Sequence, residues 1–297
     1  MNTKDSIISY LSAGPARHLI KVEPNLFKQV SEIRMRAERP MLLKARGREY
    51  EVGEGFRPTQ IDITETMERI SQYSYYAFEE EMAAGYITLP GGHRVGITGQ
   101  AVLDGSNVRT LRNINGINIR IANSVYGCAD SVLHKIRGGG KPFHTMVVSP
   151  PGCGKTTMLR DIVRQLSDGG LTVGLVDERS EVAGCFKGVP QNDVGSRTDV
   201  LDGCPKAAGM VMLLRAMAPD VIAVDELGGE RDARAVEDVL NAGVKLICTT
   251  HGHCAADVRK SPSLGRLFER GVFERFVVLE SVGKVSGVYG PNGADAV

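Results

Sequence analysis

The chain has no tryptophan, and eight phenylalanines with eight tyrosines bring its aromatic content to only 5%. It lacks an apolar run near the roughly 20 residues that a membrane helix needs. Its six cysteines (Cys128, Cys153, Cys185, Cys204, Cys248, Cys254) form no C-x-x-C pair and no Cys/His run with zinc spacing. Neither sign of charge is in excess, with 36 basic against 35 acidic side chains. Each shortage excludes something. Without a membrane span, any work at a membrane goes through partners. The cysteine pattern implies a reduced, cytoplasmic chain with no disulfide framework. Near-neutrality and scarce aromatics argue against nucleic acid as a partner, because single-strand binders combine a basic groove with stacking platforms. The opening MNTKDSIISYLSAG has neither the basic n-region nor the long apolar h-region of a signal peptide. The locally basic segment 32–48, EIRMRAERPMLLKARGR, is accounted for by a solvated strand face.

What is present is a chain of 297 residues, 42% of them hydrophobic, long enough for two ordinary domains. The segment RGGGKP (137–142) can continue neither a helix nor a strand, so a linker is expected there. The division predicted is an N-terminal α+β domain over 1–137, a linker over 138–142 and a second domain over 143–297. In the first, DSIISYLSA has helical spacing and 32–52 alternates like a pair of strands. ITETMERISQYSYYAFEEEMAAGYI carries two helical stretches, and residues 93–122 alternate again, with turn signals at Asp104-Gly105 and Asn115-Gly116. Past the linker, apolar strands (HTMVVS, LTVGLVDE, DVIAVDE, VKLICTTHG, RFVVLES) alternate with helices. That order predicts an α/β domain with a parallel sheet covered on both faces. Ligands of such sheets bind at the carboxyl ends of the strands, and each polar cluster falls at one of those ends.

The first cluster is SPPGCGKTT, covering Ser149, Pro150, Pro151, Gly152, Cys153, Gly154, Lys155, Thr156 and Thr157. Glycines there let successive backbone N–H groups point at phosphate oxygens, and the helix that follows adds its positive end. Lys155 is expected to bridge the β- and γ-phosphates of ATP, Thr156 to hold Mg²⁺ through its hydroxyl, and Thr157 to reach the α-phosphate. A bland glycine-rich turn is the alternative; the strand before and helix after argue against it. Ser149 stands where G-x-x-x-x-G-K-[ST] has its first glycine, which is tolerable if its φ stays negative. The second cluster, Asp225-Glu226, follows DVIAV. Asp225 is expected to hold Mg²⁺ through water and Glu226 to polarise the attacking water. His251, at the end of VKLICTTH, is a candidate γ-phosphate sensor, which would lie between the loop and Asp225 in the strand order common to P-loop ATPases of the additional-strand type. With His253 and Cys254 it could suggest a metal cluster, but no second ligand pair stands nearby. Asp177, Glu178 and Glu181 crowd the end of LTVGLVD, either ordering water with Glu226 or facing solvent.

These clusters in this order resemble the ATPases that power type II and type IV secretion and pilus retraction, with VDERSE (176–181), APDVIAVDE (218–226) and NAGVKLICTTHG (241–252) in the places of their acidic and histidine boxes. A closer resemblance, to the endospore-formation branch of that superfamily, is carried by GGHRVGITGQAV (91–102), INIRIA (117–122), SRTDVLDGCPKA (196–207) and DELGGERD (225–232). The resemblance implies a RecA-like P-loop ATPase domain after a smaller α+β domain. It also implies a homohexamer on the cytoplasmic, mother-cell face of a membrane, acting on membrane-embedded channel proteins of a sporulation complex. In that superfamily, arginines of the N-terminal domain complete the site of a neighbouring subunit. Arg112 and Arg120 are the candidates here, with Arg197 a third. Two rivals remain: a nucleic-acid-stimulated motor on the same core, and a nucleotide-binding scaffold without turnover.

Overall fold

The computed structural model describes residues 3–74, 78–83, 85–122, 125–291 and 293. It divides into two compact units, Met1–Asn123 and Ser124–Val297. The first opens with helices α1 (Thr3–Tyr10), α2 (Ala13–Ile20) and a single turn, α3 (Pro24–Phe27). Strands β1 (Val30–Arg36), β2 (Leu42–Ala45) and β3 (Arg48–Glu51) follow, then α4 (Gln60–Ile70) and α5 (Glu79–Ala83). The unit closes with β4 (Tyr86–Leu89), β5 (His93–Asp104) and β6 (Asn107–Arg120). The sheet runs β3-β2-β1-β6-β5-β4, antiparallel throughout. Period-two alternation buries Ile33, Met35, Leu43, Val95, Ile97, Ile117 and Ile119, and Ile63, Met67 and Ile70 of α4 join the same core. A capping box starts α4: the Thr59 hydroxyl accepts from Asp62 N at 3.2 Å, and the Asp62 carboxylate accepts from Thr59 N at 2.9 Å.

Two turn signals have different outcomes. Asp104-Gly105 makes the β5–β6 hairpin turn, whereas Asn115-Gly116 lies inside β6. Gly116 is needed there for contact, because a Cβ would meet Thr98 Oγ1 at 2.5 Å. The stretch expected to hold two strands holds three, since the short reversal at Arg46-Gly47 (φ 52° and 73°) splits its second half.

The second unit starts ahead of the glycine segment. Helix α6 (Asp130–Leu133) comes first, and Ala129, Val132 and Ile136 are already buried in this unit's core. Residues 137–142, expected as a linker, form a hairpin of β7 (Arg137–Gly138) and β8 (Lys141–Pro142). Gly139 and Gly140 take the left-handed turn, and a Cβ on Gly138 would meet the Phe143 ring at 2.6 Å. The glycines thus serve a tight turn packed on an aromatic ring, and the boundary moves to 123/124.

There follow β9 (Thr145–Ser149), α7 (Lys155–Asp168), β10 (Val173–Asp177), β11 (Thr198–Asp202), α8 (Lys206–Met217), β12 (Val221–Val224) and α9 (Glu230–Asn241). Then come β13 (Lys245–His251), α10 (Ala255–Arg259), α11 (Gly265–Glu269), β14 (Arg275–Ser281) and β15 (Lys284–Tyr289). The sheet order is β11-β10-β12-β13-β9-β14-β15. Its pairs are parallel except β14–β15, which is antiparallel, so the expected parallel sheet carries one reversed edge strand. Strands β9, β10 and β12 are buried at every position, which is why they read as continuous apolar runs. Met158, Leu159, Ile162 and Leu166 of α7 pack in one core with Val147 and Leu175. Met210 and Leu213 of α8 and Val236 and Val239 of α9 pack in the other with Met146, Val176 and Val224.

Candidate active site

From Ser149 the chain leaves β9, turns through Pro150, Pro151, Gly152, Cys153 and Gly154, and enters α7 at Lys155. Gly152 (φ 76°) and Gly154 (φ 88°) hold left-handed backbone, which a side chain would strain. Ser149 does not take a positive φ; it is fully buried and its hydroxyl donates to the Pro150 carbonyl at 3.0 Å. A serine therefore fits where the pattern has glycine. The loop opens onto the N-terminus of a 14-residue helix, the favourable end for an anion. Cys153 Sγ lies 3.9 Å from the Glu280 carbonyl, and the Thr157 carbonyl accepts from Cys128 Sγ at 3.5 Å.

Strand order puts β13 between β12 and β9, so His251 stands between the loop and Asp225-Glu226. Lys155, 5% exposed, donates from Nζ to Ser149 O at 3.0 Å and Pro150 O at 3.1 Å, and meets His251 Nδ1 at 3.1 Å. Burial lowers the pKa of this ammonium, while Glu226, Asp225 and Cys153 pull the other way. An ammonium only donates, so Nδ1 accepts and the imidazole proton sits on Nε2. That Nε2 is 3.1 Å from Glu226 Oε1. The second oxygen of Glu226, Oε2, takes a bond from Arg179 Nη1 at 3.1 Å.

Asp225 is gripped by two hydroxyls. Thr156 Oγ1 donates to Oδ2 at 2.7 Å, and Thr249 Oγ1 donates to Oδ1. Thr249 is fully buried and also accepts from Glu226 N at 2.9 Å, while its carbonyl accepts from Leu227 N at 2.9 Å. Glu226 itself has φ 54°, an unfavourable conformation for a non-glycine residue that stores about 1–3 kcal/mol. Both bonds to Thr249 hold it there.

The acidic run after β10 divides its labour. Asp177, 1% exposed, accepts from the backbone N–H groups of Glu181, Val182 and Ala183 at 2.9, 3.0 and 2.8 Å. Its pKa is raised by burial against the pull of those three bonds. Asp177 therefore shapes the loop. Arg160 of α7 reinforces it by donating to the carbonyls of Val182 (2.6 Å) and Glu181 (2.7 Å). Glu178 pairs with Lys206. Asp177, Glu178, Arg179, Glu181, Lys206, Asp225 and Glu226 together wall a cavity of about 10 Å³, room for one water.

Of the three arginines singled out from the sequence, Arg112 and Arg120 belong to the first unit and Arg197 to the second. Arg112 is exposed, opposite Gln100 in the outer part of the β5–β6 hairpin. Arg120 is exposed at the end of β6, opposite Glu32. Burial disfavours the Glu32 carboxylate, yet Lys44, Asn118, Arg34 and Arg120 together lower its pKa. Arg197 is exposed and precedes β11, its carbonyl accepting from Val173 N at the amino end of β10. Within its own unit it is at the opposite end of the strands from Asp177.

Comparison with known proteins follows the same lines. The sequence model of the family described as sporulation stage III, protein AA matches residues 1–295. The chain belongs to that family. The stage III sporulation protein AA of Bacillus subtilis (strain 168) is 40% identical over 97% of this chain and 96% of its own length. Among solved structures, the Legionella pneumophila ATPase DotB superposes with a TM-score of 0.58 at 18% identity, over 84% of this chain and 72% of DotB. The pilus retraction motor PilT, solved with ADP, gives 0.57 at 15% identity, over 86% and 75%. Identities that low speak for the fold alone: a RecA-like P-loop α/β domain after a smaller α+β domain. In this sporulation-family chain, sequence reasoning missed Thr249, Arg179 and Lys206. Only Thr249 left a trace, as a hydroxyl inside an apolar strand.

Proposed function

We propose that this chain is a Mg²⁺-dependent ATPase, working as a homohexamer that energises a membrane channel complex during endospore formation. The observation that carries the proposal is the convergence of Lys155, Thr156, Asp225, Glu226 and His251 within linked hydrogen bonds at the carboxyl ends of β9, β12 and β13. Lys155 exchanges its loop carbonyls for β- and γ-phosphate oxygens. Thr156 and Asp225 fit a magnesium ion, since a hydroxyl and a carboxylate oxygen already lie 2.7 Å apart and both are hard oxygen donors. A magnesium ion bound there would neutralise phosphate charge. Glu226 accepts a proton from water as the water oxygen bonds to the γ-phosphorus; the bond to the bridging oxygen breaks and ADP leaves with that oxygen. Glu178, near the same cavity, helps confine that water.

Arg112 or Arg120 of a neighbouring copy supplies positive charge in trans, with Arg197 the third candidate; the exposure of all three supports such a role. The reading has the chain work at the inner membrane face through channel partners; among the described residues no helix is long and apolar enough to cross a membrane. The test is ATP hydrolysis against protein concentration, with sedimentation on the same samples. Specific activity should rise as six-membered rings assemble. Activity proportional to monomer would discard the ring, and strong stimulation by DNA or RNA would favour a nucleic-acid motor.

A further inference from the structure

Arg179 has no counterpart among the residues that the sequence singles out, yet its guanidinium sits on the candidate base. It reaches Glu226 Oε2 at 3.1 Å while its own side chain is 63% exposed. The other Glu226 oxygen is met by His251 Nε2–H, and His251 is tied through Nδ1 to Lys155. Both oxygens that must deal with water are therefore already bonded to donors. Four side chains, Lys155, His251, Glu226 and Arg179, form one line, which begins at the residue expected to meet phosphate and includes an arginine. The partners of Lys155, His251 Nδ1 and the carbonyls of Ser149 and Pro150, are ones that phosphate oxygens would replace.

Charge decides what Arg179 does next. The cavity wall beside it holds five carboxylates and one further cation, Lys206, which is engaged with Glu178. Lys206 is mostly buried, whereas Arg179 is exposed enough to swing. A terminal phosphate carries more charge than a carboxylate and matches the guanidinium fork in two-point contact. It would also repel Glu226. Both effects move the arginine from the carboxylate to the phosphate.

We propose that Arg179 is a γ-phosphate sensor acting in cis: stored on Glu226 in the nucleotide-free site, it transfers to the terminal phosphate of ATP and releases Glu226 to the attacking water. ADP, lacking that phosphate, leaves the Arg179–Glu226 pair in place. The proposal rests on the ATPase reading above and assigns to this site its discrimination between tri- and diphosphate.

The test uses the full chain as wild type, R179A and R179K, with calorimetric affinities for ADP and a non-hydrolysable ATP analogue, and phosphate release at saturating ATP. R179A should bind ADP as wild type does and lose about tenfold or more in affinity for the analogue, the equivalent of one charge-assisted hydrogen bond. Its turnover should fall too. R179K, which keeps the charge without the fork, should lie between. A purely loop-supporting role would move both affinities together, and that result, or an unchanged affinity ratio, overturns the proposal. So does turnover by R179A at or above the wild-type rate. A wild type that neither binds nor hydrolyses ATP would overturn the ATPase reading itself, and this proposal with it.

Discussion

Thr249→Val removes one hydroxyl from a fully buried position and leaves side-chain volume nearly unchanged. That hydroxyl accepts from Glu226 N at 2.9 Å and donates to Asp225 Oδ1. Its loss leaves a partly buried N–H without its acceptor, worth about 1 kcal/mol, and strips one charge-assisted bond from Asp225, worth about 1.5–3 kcal/mol. The left-handed backbone of Glu226 stores a comparable amount, about 1–3 kcal/mol. With one of its two backbone restraints gone, the strained conformation is weakly enforced; of that pair the bond from Leu227 N to the Thr249 carbonyl, 2.9 Å, remains. The Glu226 carboxylate then spends most of its time away from its place beside His251. At 1.4 kcal/mol per factor of ten, turnover should drop by about 10- to 100-fold. Nucleotide affinity, which the proposal assigns to the 149–157 loop, should change little. Steady-state phosphate release and calorimetric binding separate the two, and Thr249→Ser, which keeps the hydroxyl, should restore most of the rate. Turnover by Thr249→Val within about twofold of wild type would refute the link between the Thr249 hydroxyl and the base.

Asp161 of α7 is 2% exposed and accepts from Ala129 N, Arg164 and Gln165. Burial works against its ionisation, but these bonds prevail and depress its pKa below the ordinary 3.8. A depressed carboxyl stabilises the fold above its unfolded pKa and loses that contribution as pH falls through the folded value. Asp161→Asn should cost about 3 kcal/mol in urea unfolding at neutral pH, with the gap to wild type shrinking in acid below the ordinary value. A gap constant with pH would contradict the assignment. Gly209→Ala tests the packing of α8 on β10, because the new methyl would meet Val176 Cγ1 at 2.5 Å. Overpacking costs about 1–3 kcal/mol and helix propensity returns about 1, so a net loss is expected. An unchanged or higher melting temperature would show that α8 can slide.

The parts of the site legible in the sequence are those written in consecutive residues. The loop from Ser149 to Thr157 needs only a strand, two glycines and Lys-Thr before a helix. The acidic and histidine ends were visible because fully buried strands such as VIAV and GLV stop abruptly at charge. Relations across strands were not legible. Thr249 under Asp225 and Glu226 depends on the register of β12 against β13, which pairs Val224 with Cys248. Arg179 reads as one more residue of a charged loop until β10 and β12 are side by side. Strands β11 and β15 escaped because edge strands are only half-buried, and TDVLD and KVSGVY carry no continuous apolar run. The glycines at 138–140 misled for a related reason: a packed hairpin and a linker have similar composition.

Lys155 is proposed to bind nucleotide and Glu226 to turn it over, and the decisive measurement is ATP binding and phosphate release side by side for wild type, Lys155→Ala and Glu226→Gln. Lys155→Ala should lose both, while Glu226→Gln should bind ATP with wild-type affinity and release no phosphate. Equal loss of binding in the two variants, or undiminished turnover by Glu226→Gln, would contradict it.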